Sequence, residues 1–463
     1  MVVSAAVFLS SLDLFIVNIA FPAIRADFPG TRLTGLSWVL NGYTVVFAAF
    51  LALAGRLGDR YGHRRVFLAG LGVFTGASAV CAAAPTLTAL VAARAVQALG
   101  AALVMPTSLA LLLGAFPAEG RARAVGVWAS IGAMAAALGP PLGGLLVELS
   151  WHWIFLVNVP VGLLALVAGS RVLGRADRVA TGRPDVLGAV ALVVAIGSLA
   201  FALTRAPDKG WVSVDVLGGG LVTLAGLALV VVRSVRHPVP ALDLAVLRVP
   251  AMTAAGLIMT LFSTAFAGML VVNVLFLTGT WQYSVLRAGL ALVPGPLVVV
   301  VVARVAGWLV ARFGAGTVAG LGAAAFGLGS LSWLLRLGPE REYLAGLLPG
   351  QLLTGLGVGL VLPTLSAVVG SSLPAPQWGS GSSLINTARQ VGAVLGVALV
   401  VSVMGSGTTG SGGDLALLRH GWVLVVVAAA AGALVAGGLA LHERRARPAP
   451  TAAGPVGAAV EQP

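Results

Sequence analysis

Asp13 is the residue best suited to chemistry in this sequence, because it is an acid near the middle of a long apolar segment. An ionised aspartate at the centre of a membrane helix costs about 2.5–3.5 kcal/mol on insertion scales, so it needs a partner or a role. Burial disfavours the charged carboxylate and a nearby cation favours it, so its protonation can follow its surroundings. The position predicts a proton-coupling site, with a structural ion pair as the alternative.

Arg94 is the expected partner of Asp13. At a rise of 1.5 Å per residue, the two residues lie within about one helical turn of the same depth in an apolar core about 30 Å thick. The alternative is a structural arginine that satisfies backbone carbonyls. Gln97 follows three residues later, on a nearby face of the same helix.

Other polar side chains within apolar segments are candidates for a substrate cavity, and Gln97 belongs with them. Asn386, Arg389 and Gln390 have the i, i+3, i+4 spacing that places all three on one helical face. A polar face inside an apolar helix indicates a cavity or a buried network, and interhelical hydrogen bonding explains it as well as substrate contact does. Weaker candidates of the same kind are Asn18, Asn41, Tyr43, Asn273 and Gln351.

Enzyme and cofactor chemistry lack suitable residues. The five histidines lie at segment ends or in loops, so none is placed as a mid-membrane base or metal ligand. The single lysine, Lys209, is followed by Gly210 and Trp211 and belongs to no phosphate-binding loop. We therefore expect no enzyme activity, no metal and no cofactor. Transport by this chain alone would have to use an ion gradient or the gradient of its substrate.

The amino-acid composition indicates that the segments carrying these residues lie in a membrane. Of 463 residues, 59% are hydrophobic and 9% charged, against about 45–50% and about 25% in soluble domains. This excludes a soluble enzyme, a nucleic-acid binder and a disordered chain, and predicts an all-α polytopic membrane protein. We expect fourteen transmembrane helices at 2–24, 36–55, 66–84, 88–115, 124–147, 153–170, 186–204, 215–233, 252–277, 288–311, 317–335, 343–370, 381–404 and 421–441.

The distribution of charge sets the expected orientation. The net charge of +13 comes mainly from arginines between the apolar segments, and Arg94 and Arg389 are the two that we place inside helices. The loops after even-numbered segments carry most of the basic residues, which predicts that both termini are cytoplasmic. Most of the ten tryptophans fall near segment ends, where we expect interfacial anchoring, as for Trp38, Trp153, Trp281 and Trp422.

An internal repeat divides the chain into two halves. The motif G-R-L-G-D-R-Y-G at 55–62 recurs as G-W-L-V-A-R-F-G at 307–314, and L-G-A-A-L-V-M-P-T at 99–107 recurs as L-G-V-G-L-V-L-P-T at 356–364. Segments 1–6 then correspond to 9–14 in the same orientation, as in a transporter whose site lies between its halves. We expect a six-helix half at 1–170, a linker with two inserted helices at 171–251, a second six-helix half at 252–441, and a disordered cytoplasmic tail at 442–463.

The fifth segment is interrupted by G-P-P-L-G-G at 139–144. Proline bends a helix and glycine permits close helix contact, so this segment could gate a cavity between the halves. The alternative is ordinary packing of small residues. The residues of interest here are Gly132, Gly139, Pro140, Gly143 and Gly144.

Taken together, these motifs resemble the major facilitator superfamily. G-R-L-G-D-R-Y-G-H-R-R at 55–65 resembles its loop between the second and third helices. R-A-V-Q-A-L-G at 94–100 resembles its fourth-helix motif, and Gly132 with 139–144 is similar to its antiporter motif. L-D-L-F-I-V-N-I-A-F-P at 12–22, W-H-W-I-F-L-V-N-V-P at 151–160 and N-T-A-R-Q at 386–390 resemble the fourteen-span drug:proton antiporters of the EmrB/QacA group. In these motifs Ala98 replaces the usual glycine, and His152 the usual arginine.

This resemblance implies a major facilitator fold and proton-coupled antiport that exports small lipophilic drugs or antibiotics across the cytoplasmic membrane. It assigns proton binding to Asp13, and a cytoplasmic gate to Gly55, Asp59, Arg60, Gly62 and Arg64. The second half has Ala311 where the first has Asp59, so that gate would be one-sided. A dedicated metabolite or lipid carrier is the alternative.

The expected partners are the substrate, protons and the lipid bilayer, without nucleic acid, and we expect a monomer. One deep acid against two embedded arginines suits neutral, zwitterionic or singly charged amphiphiles better than dications.

Overall fold

The computed structural model describes residues 2–31, 33–116, 118–174, 185–374, 377–404 and 415–446, and all regular secondary structure in these ranges is helical. One 3₁₀ turn lies at Leu244–Arg248, and π-helical turns lie at Phe276–Thr280 and Tyr343–Leu347. The α-helices are α1 Val2–Asp27, α2 Leu33–Leu36, α3 Trp38–Tyr61, α4 His63–Ala82, α5 Leu87–Ala115, α6 Ala118–Leu149, α7 Trp153–Leu156, α8 Asn158–Val172, α9 Val186–Lys209, α10 Val214–Arg236, α11 Pro250–Leu275, α12 Val285–Ala291, α13 Pro294–Phe313, α14 Ala315–Arg336, α15 Leu348–Ser372, α16 Trp378–Met404 and α17 Leu415–Ala446.

The predicted all-α membrane architecture is confirmed. Twelve helical segments in the described part of the chain are long and apolar enough to cross a membrane. The two remaining predicted spans coincide with α3 and α6, whose described apolar stretches are shorter, at Trp38–Leu51 and Leu138–Leu149. As membrane spans, α3 and α6 stay predictions. Helix α17 continues to Ala446, into the predicted tail 442–463, and the rest of that tail lies outside the described residues.

Proline explains why two of the predicted spans are each built from two helices. Pro160 has no backbone N–H to bond the carbonyl four residues earlier, and the regular helix is interrupted at Val157, between α7 and α8. Pro294 occupies the first position of α13, where a missing N–H costs nothing, and the preceding turn separates α13 from α12. Sequence periodicity had merged each pair into one continuous helix.

The same close packing occurs in both halves, at positions that the repeat relates. Gly100 of α5 lies against the backbone of α4, where an added Cβ would be 2.4 Å from the nitrogen of Phe74. Gly357 of α15 lies against α14 in the same way, with an added Cβ 2.6 Å from the Cβ of Phe326. Glycine is needed at both places because any side chain would force the helices apart.

The turns that follow α3 and α13 also match. Gly62 has φ of 92° and Gly314 has φ of 88°, a left-handed conformation that a side chain disfavours. Each glycine lets the next helix begin at once, so the α3–α4 and α13–α14 connections are single-residue turns.

The two halves meet along α6 and α12. An added Cβ on Gly144 of α6 would lie 2.5 Å from the Cα of Leu286, and one on Gly289 of α12 would lie 2.3 Å from the carbonyl oxygen of Pro140. Backbone therefore touches backbone at this seam, which excludes both side chains and water.

The inserted helices α9 and α10 pack against each other and are joined by polar contacts. The hydroxyls of Ser198 and Thr223 lie 2.9 Å apart, and Arg233 forms an ion pair with Asp185 at 2.7 Å. Burial raises the pKa of Asp185, but hydrogen bonds from Arg233 and from the backbone N–H groups of Gly188 and Ala241 outweigh it, so that its pKa is lowered. Asp185 thereby caps α9 and ties it to the end of α10.

Helix α9 also packs against α3 and α16, one from each half. The contact is an apolar cluster, which we call the α3–α9–α16 cluster. Its buried members are Val45, Ala49, Ala191, Leu192, Ile196, Ala200, Val230, Val394 and Ala398.

The prediction of interfacial anchoring is wrong for two tryptophans. Trp281 and Trp422 are completely buried, and burial is tolerated because their indole N–H groups find acceptors inside the protein. Trp281 donates to the carbonyl of Gly338, and Trp422 donates to the side-chain oxygen of Asn273, both at 3.0 Å. Trp153, by contrast, is exposed.

Arg304 corrects a second expectation. It lies in the middle of α13, so Arg94 and Arg389 are not the only arginines inside helices. Arg304 is exposed on a face with Val301, Val305 and Trp308, and a long exposed arginine can extend its charge toward water.

Candidate functional site

Asp13 of α1 and Arg94 of α5 form an ion pair between the carboxylate and one guanidinium nitrogen. Both side chains are buried, with 0% and 1% of their surfaces exposed. The pairing that the depth argument predicts is present. A buried ion pair persists only when its remaining hydrogen-bonding groups are also satisfied, so its neighbours decide what it can do.

Three further buried side chains complete the network around the carboxylate. Gln97 donates to Asp13 Oδ1 at 2.9 Å and to the hydroxyl of Ser78 at 2.9 Å. Asn158 donates to the same Asp13 oxygen at 3.3 Å and lies 3.4 Å from Ser78. Helices α1, α4, α5 and α8 therefore converge on one carboxylate, which has a cation on one oxygen and two amide donors on the other.

Arg94 is satisfied on its other sides. Its Nε donates to the carbonyl of Val39 at 3.3 Å, and a terminal nitrogen donates to Gln97 Oε1 at 2.6 Å. The ring of Tyr43 lies 4.0 Å from the guanidinium carbon, in cation–π geometry. The cation is thus held by α3 as well as by α1. A proton on Asp13 would remove the charge that holds Arg94 and free the guanidinium to contact other groups.

Sequence reasoning missed Asn158 and Ser78 as members of this network. Asn158 is the first residue of α8, and a position at a helix end suggests the membrane surface, not the core. Ser78 looks like one of many small residues in an apolar run, and its hydroxyl donates to the carbonyl of Phe74 as serines in helices often do. The one sequence signal for Asn158 is its place in the N-V-P end of the motif at 151–160.

The corresponding place in the second half carries no charge. The repeat relates Arg94 to Gln351 and Ser78 to Ser330, whose hydroxyl donates to Phe326 as Ser78 donates to Phe74. Gln351 is buried, and its amide nitrogen has no hydrogen-bond partner. The ionised network is therefore confined to the first half within the described residues.

The remaining cavity candidates are not joined to the Asp13 network by hydrogen bonds. Asn18 donates to the carbonyl of Leu14 and lines a narrow gap between α1, α3 and α11. Asn41 is buried and neither amide atom has a partner, whereas Asn273 accepts from Trp422. Whether these residues touch substrate stays a prediction.

The predicted polar face on α16 is present. Arg389 donates to the side-chain oxygen of Asn386 at 3.2 Å, and Asn386 donates to the carbonyl of Ser382 at 2.9 Å. Gln390 is buried with its amide nitrogen unpartnered. Val394, one helical turn after Gln390, belongs to the α3–α9–α16 cluster.

The predicted gate loop is partly described. Arg64 donates to the carbonyl of Ser170, which joins the start of α4 to the end of α8. The guanidinium of Arg60 lies 5.5 Å from the ring of Tyr61. Gly55 faces Pro106, with 3.8 Å between an added Cβ and the proline side chain. The side chain of Asp59 lies outside the described part.

The glycines of the fifth-segment motif place α6 against two helices at once. An added Cβ on Gly139 would be 2.6 Å from the Cβ of Phe15, and one on Gly143 would be 2.9 Å from the side chain of Ile16. Gly132 lies about two helical turns earlier in α6, and its added Cβ would be 3.8 Å from the hydroxyl of Ser11. These three glycines face α1, whereas Gly144 faces α12 in the other half. The two prolines between them, Pro140 and Pro141, lie inside α6.

Comparison with known proteins agrees with this architecture. The pattern described as the Major Facilitator Superfamily matches residues 3–397. The chain belongs to the major facilitator superfamily. Cephamycin export protein CmcT of Amycolatopsis lactamdurans is 37% identical over 418 residues, covering 88% of this chain and 85% of the relative. Multidrug resistance protein Stp of Mycobacterium tuberculosis (strain CDC 1551 / Oshkosh) is 36% identical over 404 residues, covering 86% and 74%.

Solved structures show the same fold. An auto inhibited POT family peptide transporter superposes with a TM-score of 0.66 at 17% identity and covers 97% of this chain and 98% of its own. The protein is therefore a multi-pass membrane transporter of the major facilitator superfamily, and its relatives are antibiotic and multidrug export proteins. Among the described residues, no group of three or more His, Cys, Asp or Glu side chains could hold a metal ion.

Proposed function

We propose that this major facilitator protein is a proton-coupled antiporter that exports small lipophilic antibiotics or drugs across the cytoplasmic membrane by alternating access. Its relatives export cephamycin or confer multidrug resistance, which supports the direction and the class of substrate. We further propose that both termini are cytoplasmic and that the protein acts as a monomer.

The observation that carries the proposal is the buried Asp13–Arg94 pair. Asp13 is an ionisable group placed where four helices of one half meet, and its charge is held by a single cation and two amides. Protonation replaces a carboxylate by a neutral acid, which removes the attraction for Arg94 and leaves that cation to seek new contacts. Gain and loss of one proton would thus change how α1 and α5 are held together, which links proton binding to helix movement.

The glycine contacts of α6 supply a second element of the proposal. Because α6 touches α1 through Gly139 and Gly143, and α12 through Gly144, a shift of α1 is passed directly to the seam between the halves. We propose that this seam forms one gate of the transporter. We propose a second gate on the cytoplasmic side, formed by Gly55, Asp59, Arg60, Gly62 and Arg64.

Reconstituted transport tests the proposal. Purified protein is reconstituted into liposomes, and the liposomes are loaded with a lipophilic antibiotic. The antibiotic is chosen as one to which cells gain resistance when they express the protein. Movement of drug and of protons is then followed with and without an imposed pH gradient. We expect gradient-dependent drug movement and counter-movement of protons in the wild type, and neither in Asp13→Asn.

The matched control is Glu148→Gln, which neutralises an exposed acid at the end of α6 and should transport normally. Drug movement that ignores the gradient, or full coupling in Asp13→Asn, would show that Asp13 does not couple export to protons.

A further inference from the structure

The charge that a substrate must carry can be read from the arginine and acid side chains inside the membrane helices. In the first half, Asp13 is already compensated by Arg94 and accepts from Gln97 and Asn158. Its carboxylate therefore offers no free negative charge to a cationic substrate without breaking the network. A cation would have to displace Arg94, which would leave a buried guanidinium without its partner.

Arg389 of the second half is in the opposite situation. Its hydrogen bond goes to the neutral amide of Asn386, and its Nε is buried without an acceptor. No acid among the described residues forms an ion pair with it. It lies eleven residues into α16, or about 16 Å along the helix axis, which is near the middle of an apolar core about 30 Å thick.

The polar stripe of α16 that contains Arg389 is partly accessible. Ser382, Asn386 and Arg389 follow each other at i, i+4 and i+7 and form one polar stripe on α16. The stripe is exposed at Ser382 and half-buried at the other two, whereas Val394 and Ala398, farther along α16, are buried in the α3–α9–α16 cluster. A half-buried guanidinium that has no acidic partner is an anion-binding group, because it forms its strongest hydrogen bonds with carboxylates and other oxyanions.

We infer that the substrate is an amphiphile with a single anionic group, such as a carboxylate or a sulfonate, and that Arg389 binds this group. The neighbouring amides of Asn386 and Gln390 orient it, and the apolar helices accept the rest of the molecule. This inference rests on the proposed function, since it names the substrate class of the same transporter. The sequence alone allows a neutral, zwitterionic or singly charged substrate, and this inference restricts the substrate to a monoanion.

An equilibrium binding measurement tests the inference without requiring transport. Full-length protein in nanodiscs is titrated with 1-anilinonaphthalene-8-sulfonate and, separately, with the corresponding neutral sulfonamide, which has the same rings. Fluorescence is corrected with empty nanodiscs of the same lipid. We expect the wild type to bind the sulfonate at least about tenfold more tightly than the sulfonamide, a difference of about 1.4 kcal/mol.

Substitutions at Arg389 should remove this preference selectively. Arg389→Gln should bring the two affinities to within about twofold, whereas Arg389→Lys, which keeps the charge, should retain most of the preference. The matched control is Arg205→Gln, which removes an exposed arginine near the end of α9, outside both halves. It should behave as the wild type.

Equal affinity of the wild type for the two probes would overturn the inference, as would an unchanged preference in Arg389→Gln. Failure of the proposed function would appear elsewhere, as absence of gradient-driven drug movement in liposomes, whatever the binding preference.

Discussion

Replacing Asp13 by asparagine should destabilise the protein as well as uncouple it, by an amount that follows from its surroundings. The substitution leaves the guanidinium of Arg94 buried, with Val39 and Gln97 as acceptors and the ring of Tyr43 beside it. Removing one partner of a buried ion pair costs about 3–5 kcal/mol, since the other charge stays desolvated. We expect the free energy of unfolding to fall by that amount, with the protein still inserted and folded.

A second substitution should reverse much of this loss. Glutamine is the residue that the repeat places opposite Arg94 in the second half, at Gln351, so the double variant Asp13→Asn/Arg94→Gln gives the first half a neutral site like its counterpart. With both charges gone, no ion is left unpaired, and we expect at least about 2 kcal/mol to be regained. Export should stay absent, because no group is left to carry the proton.

Both variants can be measured by reversible unfolding in mixed micelles of mild detergent and dodecyl sulfate, followed by tryptophan fluorescence. Buried tryptophans such as Trp333 and Trp422 report the loss of packing. The reasoning is refuted if Asp13→Asn is as stable as the wild type. It is also refuted if the double variant is no more stable than the single one, since Arg94 would then carry no uncompensated charge.

Three further outcomes are expected. Gly289→Ala should slow export, because its Cβ would lie 2.3 Å from a backbone oxygen of α6, and overpacking of this kind costs about 1–3 kcal/mol; Gly76→Ala, which meets no atom within 4 Å, is the control in the same transport assay. The pKa of Asp185 is lowered by Arg233, so its stabilisation should be complete above the unfolded-state pKa and disappear as the pH falls through the lowered value. Thermal unfolding should therefore show Asp185→Asn to be destabilised at pH 7 and progressively less so in acid. Asp59→Ala should lower the transport rate with a smaller change in substrate affinity, and a large loss of affinity at an unchanged rate would place Asp59 in the binding site.

The depth of a residue along its helix was the property from which the pairing of Asp13 with Arg94 could be predicted. Asp13 and Arg94 are far apart in the chain, yet the rise per residue placed them at one level, and two buried charges at one level have strong reason to pair. Asn158 and Ser78 could not be found in this way, because their roles depend on how α4 and α8 cross, which no single-helix period encodes. The burial of Trp281 and Trp422 has the same origin, since position near a helix end fixes depth but not the direction of the side chain.

The α3–α9–α16 cluster has a mechanical consequence. Helix α9 touches one helix from each half, so any rotation of the halves must move α3 or α16 across its surface. The buried members of the contact are valine, alanine, leucine and isoleucine side chains, with Trp38 and Phe50 packed against them, and no hydrogen bond joins α9 to α3 or α16 within the described residues. Sliding therefore breaks no directional bonds, whereas the bonds of Asp185 and Ser198 keep α9 fixed to α10. If the halves rotate as the proposed alternating access requires, the inserted pair would stay one rigid two-helix block, and α3 and α16 would slide along its surface.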